Sequence, residues 1–161
     1  MDEVNDNFCE ETKKINKNKQ WFHYFIYGII CWVIVDFTTV FNPNLQRWIS
    51  FWPTIWLFYI LFPLAFSLLI YKLKINDKQL FLCTIIEIII SEVILFQNQL
   101  LFTFPIMLIA IPVSVCIYTL ITFFPKWIEE KKLKENRRII IFLIIVWILI
   151  SIITFITNVQ Q

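Results

Sequence analysis

Residues 126–138 read KWIEEKKLKENRR, and this basic stretch decides how the whole chain is organised. It contains six of the fourteen Lys and Arg residues and separates two apolar runs, 100–124 and 139–159. Positive side chains stay on the cytoplasmic side of a membrane and thereby orient the helices next to them. The stretch therefore predicts a cytoplasmic loop at 125–138 between two membrane-spanning helices.

Three further apolar runs precede this pair. Each is near the length of about 20 residues that a helix needs to cross about 30 Å of hydrocarbon. The polar segments between the runs alternate in charge. Residues 72–79 hold three lysines and residues 1–20 hold four, whereas Arg47 is the one basic residue in the remaining segments. Thirteen of the fourteen basic residues are thus predicted to lie on one side of the membrane.

This pattern predicts an all-α, polytopic membrane protein with five transmembrane helices, a cytoplasmic N-terminus and a C-terminus outside. Residues 1–20 form a polar cytoplasmic tail with too little apolar content to fold alone. The transmembrane domain covers 21–159, with cytoplasmic basic loops at 72–79 and 125–138. Its helices are predicted at 21–41, 48–71, 80–96, 100–124 and 139–159. Four prolines fall inside them: Pro53, Pro63, Pro105 and Pro112.

The third predicted helix is the least apolar, because it contains Glu87 and Glu92. On an insertion scale its apolar residues contribute about −5 kcal/mol and its two acids cost about +5 to +7 kcal/mol. The free energy of inserting this segment alone is therefore close to zero. If it did not cross, the fourth helix would carry the basic stretch 126–138 to the outer side. We therefore expect the third and fourth helices to insert as a hairpin, with both acids facing protein.

Three carboxylates inside predicted helices are the best candidates for a functional site. Asp36 and Glu92 are predicted at one depth near the outer face, and Glu87 near the bilayer midplane. A carboxylate within a bilayer costs several kcal/mol unless it is paired, hydrated or protonated. Two carboxylates that approach each other in such surroundings favour binding of a proton or a cation.

A structural role for the same acids is the alternative. Arg47 begins the second helix on the outer side, and its long side chain can reach inward to pair with Asp36 or Glu92. Glu87 has Ser91 one turn further along the same helix face, and in its protonated form it can bond Ser91 or a carbonyl freed by a proline of the fourth helix. The four charged residues therefore predict either an intramembrane proton or cation site or a structural ion pair.

Trp52, Trp56 and Tyr59 form an aromatic stripe along the second helix at helical spacing. Such a stripe is typical of helix packing and of aromatic belts at membrane interfaces. It is also a candidate surface for an apolar or aromatic ligand, and Trp32 and Trp147 are deep enough to line the same pocket.

Soluble-type enzymology has no support in the sequence. The chain has one histidine, His23, and one glycine, Gly28, so multi-histidine metal sites and phosphate-binding glycine loops are excluded. No catalytic residues, metal or cofactor are predicted. A nucleic-acid partner is not predicted either, because no basic domain is present.

In size, predicted helix number and aromatic content, the chain resembles the tryptophan-rich sensory protein (translocator protein) family, which binds porphyrins and sterol-like ligands. The residues 52–56, WPTIW, with Tyr59, partly match that family's proline pair followed by spaced Trp and Tyr residues. The family's asparagine–tryptophan pattern in the third helix is replaced here by the segment from Glu87 to Glu92. The resemblance therefore concerns architecture, and no binding residue is carried over from it.

The sequence thus predicts a multi-pass protein of the cytoplasmic membrane that acts without catalysis, as an interaction, accessory or sensing component. Its expected partners are the lipid bilayer and either a second copy of the chain or a membrane partner protein. The alternative is a small proton- or cation-linked carrier or channel protomer that uses the intramembrane carboxylates, which requires an oligomer to enclose a path.

Overall fold

The computed structural model describes residues 2–42, 44–95 and 97–159, with side chains described within 19–42, 44–95 and 97–157. The described residues are 85% helical and contain no strand. Two π-helical segments, Phe37–Phe41 and Ile89–Leu95, continue the first and third α-helices, and a 3₁₀ turn covers Gln99–Leu101. The α-helices are α1 (Asp2–Asp36), α2 (Leu45–Tyr71), α3 (Asp77–Ile88), α4 (Met107–Glu129) and α5 (Arg137–Val159).

Four helical segments among the described residues are long and apolar enough to cross a membrane. They are Lys19–Phe41, Leu45–Tyr71, Met107–Glu129 and Arg137–Thr157. The last has the most exposed apolar surface of the four, because only 11% of its most apolar stretch is buried inside the protein. These apolar exteriors are consistent with a membrane-embedded protein, since water does not tolerate so much exposed hydrocarbon.

Two predicted boundaries are corrected by the structure. Helix α4 begins at Met107 rather than at residue 100, so Pro105 lies in the turn before the helix and not inside it. The Asn98 side chain accepts a bond from the Leu100 amide and starts a 3₁₀ turn there instead. At its other end α4 continues through Pro125 to Glu129, which shortens the predicted loop 125–138.

The helix α1 also differs from its prediction, because its backbone begins at Asp2 within the predicted polar tail. Residues 1–20 contain neither Pro nor Gly, so nothing in the tail interrupts a helix that propagates from the apolar segment. The side chains of residues 1–18 lie outside the described part of the chain.

Helices α1 and α4 lie at the centre of the bundle, where α1 packs against α2 and α4, and α4 against α3 and α5. One buried apolar cluster, around Tyr24, Leu80 and Phe123, fills the half of the bundle that contains the basic loops. The other, around Trp32 and Tyr118, fills the opposite half. The candidate site lies beside this second cluster.

Hydroxyl side chains accompany both π-helical segments. In the first segment, Thr38 and Thr39 each donate a hydrogen bond to a carbonyl of the preceding turn. The Thr39 carbonyl in turn accepts from Thr154 of α5, at 2.8 Å. In the second segment, Ser91 donates to the Glu87 carbonyl at 2.7 Å. Hydroxyl groups that bond into the helical ladder satisfy carbonyls that a wider turn leaves free.

Candidate functional site

A cavity of about 740 Å³ opens at the end of the bundle where α1 stops and α2 begins. The π segment after α1 and the first half of α2 form two of its walls. The residues that follow the second π segment, 97–100, and Tyr118 of α4 close it. This is the end of the bundle that the sequence predicts to lie outside. Asp36, Glu92 and Arg47 all line the cavity, so three of the four predicted charged residues meet in one place.

Asp36 is held by an aromatic residue of α2. The Tyr59 hydroxyl donates a hydrogen bond to Asp36 Oδ2. The Trp48 indole Nε1–H donates to the Tyr59 oxygen at 3.4 Å and so continues this chain of bonds towards the rim. Tyr59 is 3% exposed, whereas Asp36 is half-buried and lines the cavity. The tyrosine therefore orients the carboxylate without covering it.

Glu92 is held in a parallel way by α4 and by residues 97–106 before it, which are called the outer turn here after their predicted location. The Tyr118 hydroxyl donates to Glu92 Oε1 at 2.8 Å, and Asn98 Nδ2 donates to Oε2 at 2.8 Å. Gln97 turns the chain sharply, with φ of 47°, so that the Asn98 backbone amide also returns to the Glu92 carbonyl at 2.8 Å. Both carboxylate oxygens thus accept a hydrogen bond, as an ionised carboxylate can.

Trp32 joins the two carboxylate–tyrosine pairs. Its ring lies 6.2 Å from that of Tyr59 and 5.4 Å, edge to face, from that of Tyr118. It also stacks on Phe62 at 5.7 Å, and both residues line the cavity. The wall between the two acids is therefore aromatic, and its rings are fixed by contact with one another.

Arg47 lines the cavity at its exposed rim. Among the described side chains no carboxylate lies within salt-bridge distance of its guanidinium. Asp36 instead accepts a hydrogen bond from the Tyr59 hydroxyl. Its own backbone amide is capped by Asn44 at the start of α2, at 2.8 Å. The structure thus brings Arg47 to the same cavity as the two acids without joining it to either of them.

Glu87 stands apart from the cavity lining. Its side chain is 3% exposed, and neither carboxyl oxygen has a hydrogen-bond partner among the described residues. The predicted bond between its side chain and Ser91 does not form, because the Ser91 hydroxyl contacts the Glu87 backbone carbonyl and, at 2.8 Å, the Tyr118 hydroxyl. Glu87 is therefore a deeply buried acid whose backbone carbonyl, and not its carboxyl group, is linked to Glu92 through the hydroxyls of Ser91 and Tyr118.

The predicted aromatic stripe is divided by the structure. Tyr59 lines the cavity, whereas Trp52 and Trp56 are 39% and 43% exposed on the outer surface of α2 and do not line it. Trp52 contacts both Trp48 and Tyr59, with ring centroids 5.0 and 5.5 Å apart. The stripe thus supports the cavity from outside, and one of its three residues faces a ligand-sized space.

Tyr118 is the residue of this site that sequence reasoning missed. Residues 92 and 118 are nearly equidistant from the outer turn around Pro105, so an antiparallel hairpin of the third and fourth helices places them opposite each other. The turn predicted from the sequence, at 97–99, instead places residue 104 opposite Glu92, so the pairing with Tyr118 follows only once the structure starts α4 at Met107.

A second polar cluster lies at the opposite end of the bundle. Lys126 of α4 is 5% exposed and pairs with Asp77 at the start of α3 and with Glu130 at 3.6 Å. Lys132 contacts Glu130 at 2.6 Å, and this hydrogen bond raises the pKa of Lys132 above the usual lysine value. His23 lies 3.4 Å from Glu129. These pairs connect α1, α3 and α4 where the basic loops lie.

No protein-family model, curated protein or solved structure matches this chain.

Proposed function

We propose that the chain is a five-crossing protein of the cytoplasmic membrane that acts without catalysis, as a sensing or interaction component that binds a small ligand. The observation that carries this proposal is the cavity of about 740 Å³ beside Asp36 and Glu92. Small-molecule sites are clefts of about 300–1,000 Å³ with mainly apolar walls and a few placed polar groups. The aromatic wall with two oriented carboxylates matches that description.

The fifth crossing is supported by the segment from Asp77 to Leu95, which is helical throughout. At about 1.5 Å per residue its 19 residues extend about 28 Å, close to the thickness of the hydrocarbon layer. It pairs with Lys126 near one end and with Tyr118 further along, so it lies antiparallel to α4. The cytoplasmic placement of the N-terminus follows from the thirteen basic residues that fall in alternate segments.

Filling the cavity tests the ligand-binding proposal. The wild-type protein in lipid nanodiscs is heated with amphiphiles of cationic, neutral and anionic charge, and the unfolding temperature is measured. A ligand at 100 times its Kd stabilises the folded protein by about 2.7 kcal/mol. We expect at least one class to stabilise the wild type and to lose this effect in Thr39→Trp, because Thr39 lines the cavity.

Thr157→Trp is the matched control, since Thr157 is exposed on α5 and does not line the cavity. It should respond to ligands as the wild type does. If no class stabilises the wild type, or if Thr39→Trp responds unchanged, the cavity does not bind a ligand.

A proton- or cation-linked carrier is the second candidate, and Glu87 is the observation that favours it. An ionised carboxylate without partners is expensive in such surroundings, so Glu87 is cheapest to bury as the neutral acid. The hydroxyl groups of Ser91 and Tyr118 connect its backbone with Glu92 at the cavity. A buried acid on the same helical segment as a cavity carboxylate is an arrangement that a coupled carrier can use.

Reconstituted vesicles separate the two candidates. A carrier should dissipate an imposed pH gradient or couple it to uptake of a cation, and Glu87→Gln should abolish that flux while the protein still folds. Glu135→Gln, at an exposed position of the loop between α4 and α5, is the control that should leave flux intact. Vesicles that hold the gradient with the wild-type protein contradict the carrier and leave the binding component.

A further inference from the structure

The cavity carries an unbalanced charge. Two carboxylates and one guanidinium line it, which leaves one net negative charge when all three groups are ionised. The carboxylates are held in place by donors from three different elements, namely Tyr59 of α2, Tyr118 of α4 and Asn98 of the outer turn. Groups fixed in this way are ready to receive a positive ligand without rearranging.

The wall around this charge consists largely of aromatic rings. Trp32, Phe58, Tyr59, Phe62 and Tyr118 all line the cavity, and several of them stack or meet edge to face. The faces of such rings attract cations, most strongly when water is excluded. Aromatic faces also bury the apolar body of an organic ion, which they cannot do for a hydrated metal ion.

On these grounds we infer that the cavity binds a monovalent, largely apolar organic cation, with its charge between Asp36 and Glu92 and its body against Trp32 and Phe62. This inference rests on the proposed ligand-binding function and names the class of ligand. Arg47 lies at the exposed rim of the cavity. Its guanidinium repels a divalent cation more strongly than a monovalent one, which disfavours divalent ligands. The volume of about 740 Å³ admits an ion with several rings and greatly exceeds that of a bare inorganic cation.

Two probes of the same shape and opposite charge test the inference directly. Tetraphenylphosphonium is a lipophilic cation, and tetraphenylborate is an anion of closely similar size. Binding of each to the wild-type protein in nanodiscs is measured by tryptophan fluorescence, with empty nanodiscs subtracted for partition into lipid. We expect the cation to bind at least about tenfold more tightly than the anion, because the cavity favours one charge.

Substitutions then locate the site. Asp36→Asn and Glu92→Gln should each weaken tetraphenylphosphonium binding by about tenfold or more, whereas Glu135→Gln, which removes an exposed charge outside the cavity, should not. Phe58→Leu should weaken it by about threefold to tenfold through loss of a ring face. Phe142→Leu, at a 57% exposed position of α5, is its matched control.

The outcomes distinguish this inference from the function on which it rests. Equal binding of both probes, or cation binding that survives both acid substitutions, overturns the cation assignment. If a neutral or anionic amphiphile stabilises the wild type but not Thr39→Trp, the ligand-binding function stands and the cation assignment fails. If no probe of any charge binds, both fail together.

Discussion

At the scale of the residue, the single glycine of the chain marks the closest approach of two helices. Gly28 of α1 is buried, and a Cβ built on it would lie 2.8 Å from Cβ of Pro63 in α2. The proline ring is rigid and belongs to a helix backbone, so it cannot rotate away as a flexible side chain does. Gly28 therefore sets the distance between α1 and α2 beside the cavity.

Gly28→Ala is expected to destabilise the protein although alanine is the better helix former. The helix preference favours alanine by about 1 kcal/mol, whereas forcing a methyl group into a packed contact costs about 1–3 kcal/mol. Gly28→Val should be worse, because its side chain is larger. The unfolding temperature of the purified protein in nanodiscs measures both effects.

Pro63→Gly removes the atom that the new methyl group would meet and serves as the second-site control. The double variant Gly28→Ala, Pro63→Gly should recover part of the loss, relative to the sum of the single effects. Purely additive losses would show that the contact at Pro63 is not the cause.

The candidate acids could be predicted from the sequence because a carboxylate inside an apolar run is conspicuous by itself. Their partners could not be predicted in the same way. The aromatic stripe contains Tyr59 but does not indicate that it donates to Asp36. No sequence pattern indicates that Tyr118 donates to Glu92. Both pairings depend on how two helices face each other, and helical spacing within one segment contains no such information.

At the scale of the element, the existence of each helix followed from its apolar run, whereas the boundaries depended on local contacts. Helix α4 continues past Pro125 to Glu129, and Lys131 just after its end is left-handed, with φ of 56°. There the amide of Lys132 returns to the Trp127 carbonyl at 2.9 Å. Such a bond satisfies a carbonyl group at the helix end. The hydropathy of the sequence contains no information about it, so it cannot predict this boundary.

The buried lysine at the same helix end shows a second limit of sequence patterns. Charge counting treats Lys126 as one of several residues that orient the chain. The structure places it at 5% exposure with Asp77 and Glu130 beside it, so it also connects the start of α3 to the end of α4. Asp77 lies 49 positions from Lys126 along the chain, a separation that no local motif spans.

The π-helical segments are the elements that the sequence predicted least well. Both flank the cavity, one directly after Asp36 and the other around Glu92. Wider turns of this kind occur often at functional sites, because they redirect side chains at the expense of regular hydrogen bonds. Here the hydroxyls of Thr38, Thr39 and Ser91 bond to carbonyls of the preceding turn.

At the scale of the whole molecule, the two ends of the bundle have different characters. The end with the basic loops is held by ion pairs among α1, α3 and α4, and the other end contains the cavity with its oriented carboxylates. In the proposed orientation the basic end is cytoplasmic and the acidic cavity opens outside, on the side from which an environmental cation arrives. The orientation of the chain therefore decides whether the cavity serves sensing of the exterior.

Reporter fusions test that orientation and the five crossings together. A reporter that functions only in the cytoplasm should be active when inserted at 72–76 or 130–136, and one that functions only outside should be active at 97–99 or after residue 159. The reason is the cost of moving the basic stretch 126–138 across the membrane. A matched variant with lysines at 97–99 places three positive charges on the outer turn, and it should reduce outside activity there because the hairpin then resists insertion. Activity of the outside reporter at 130–136, or both chain ends on one side, would contradict the proposed topology.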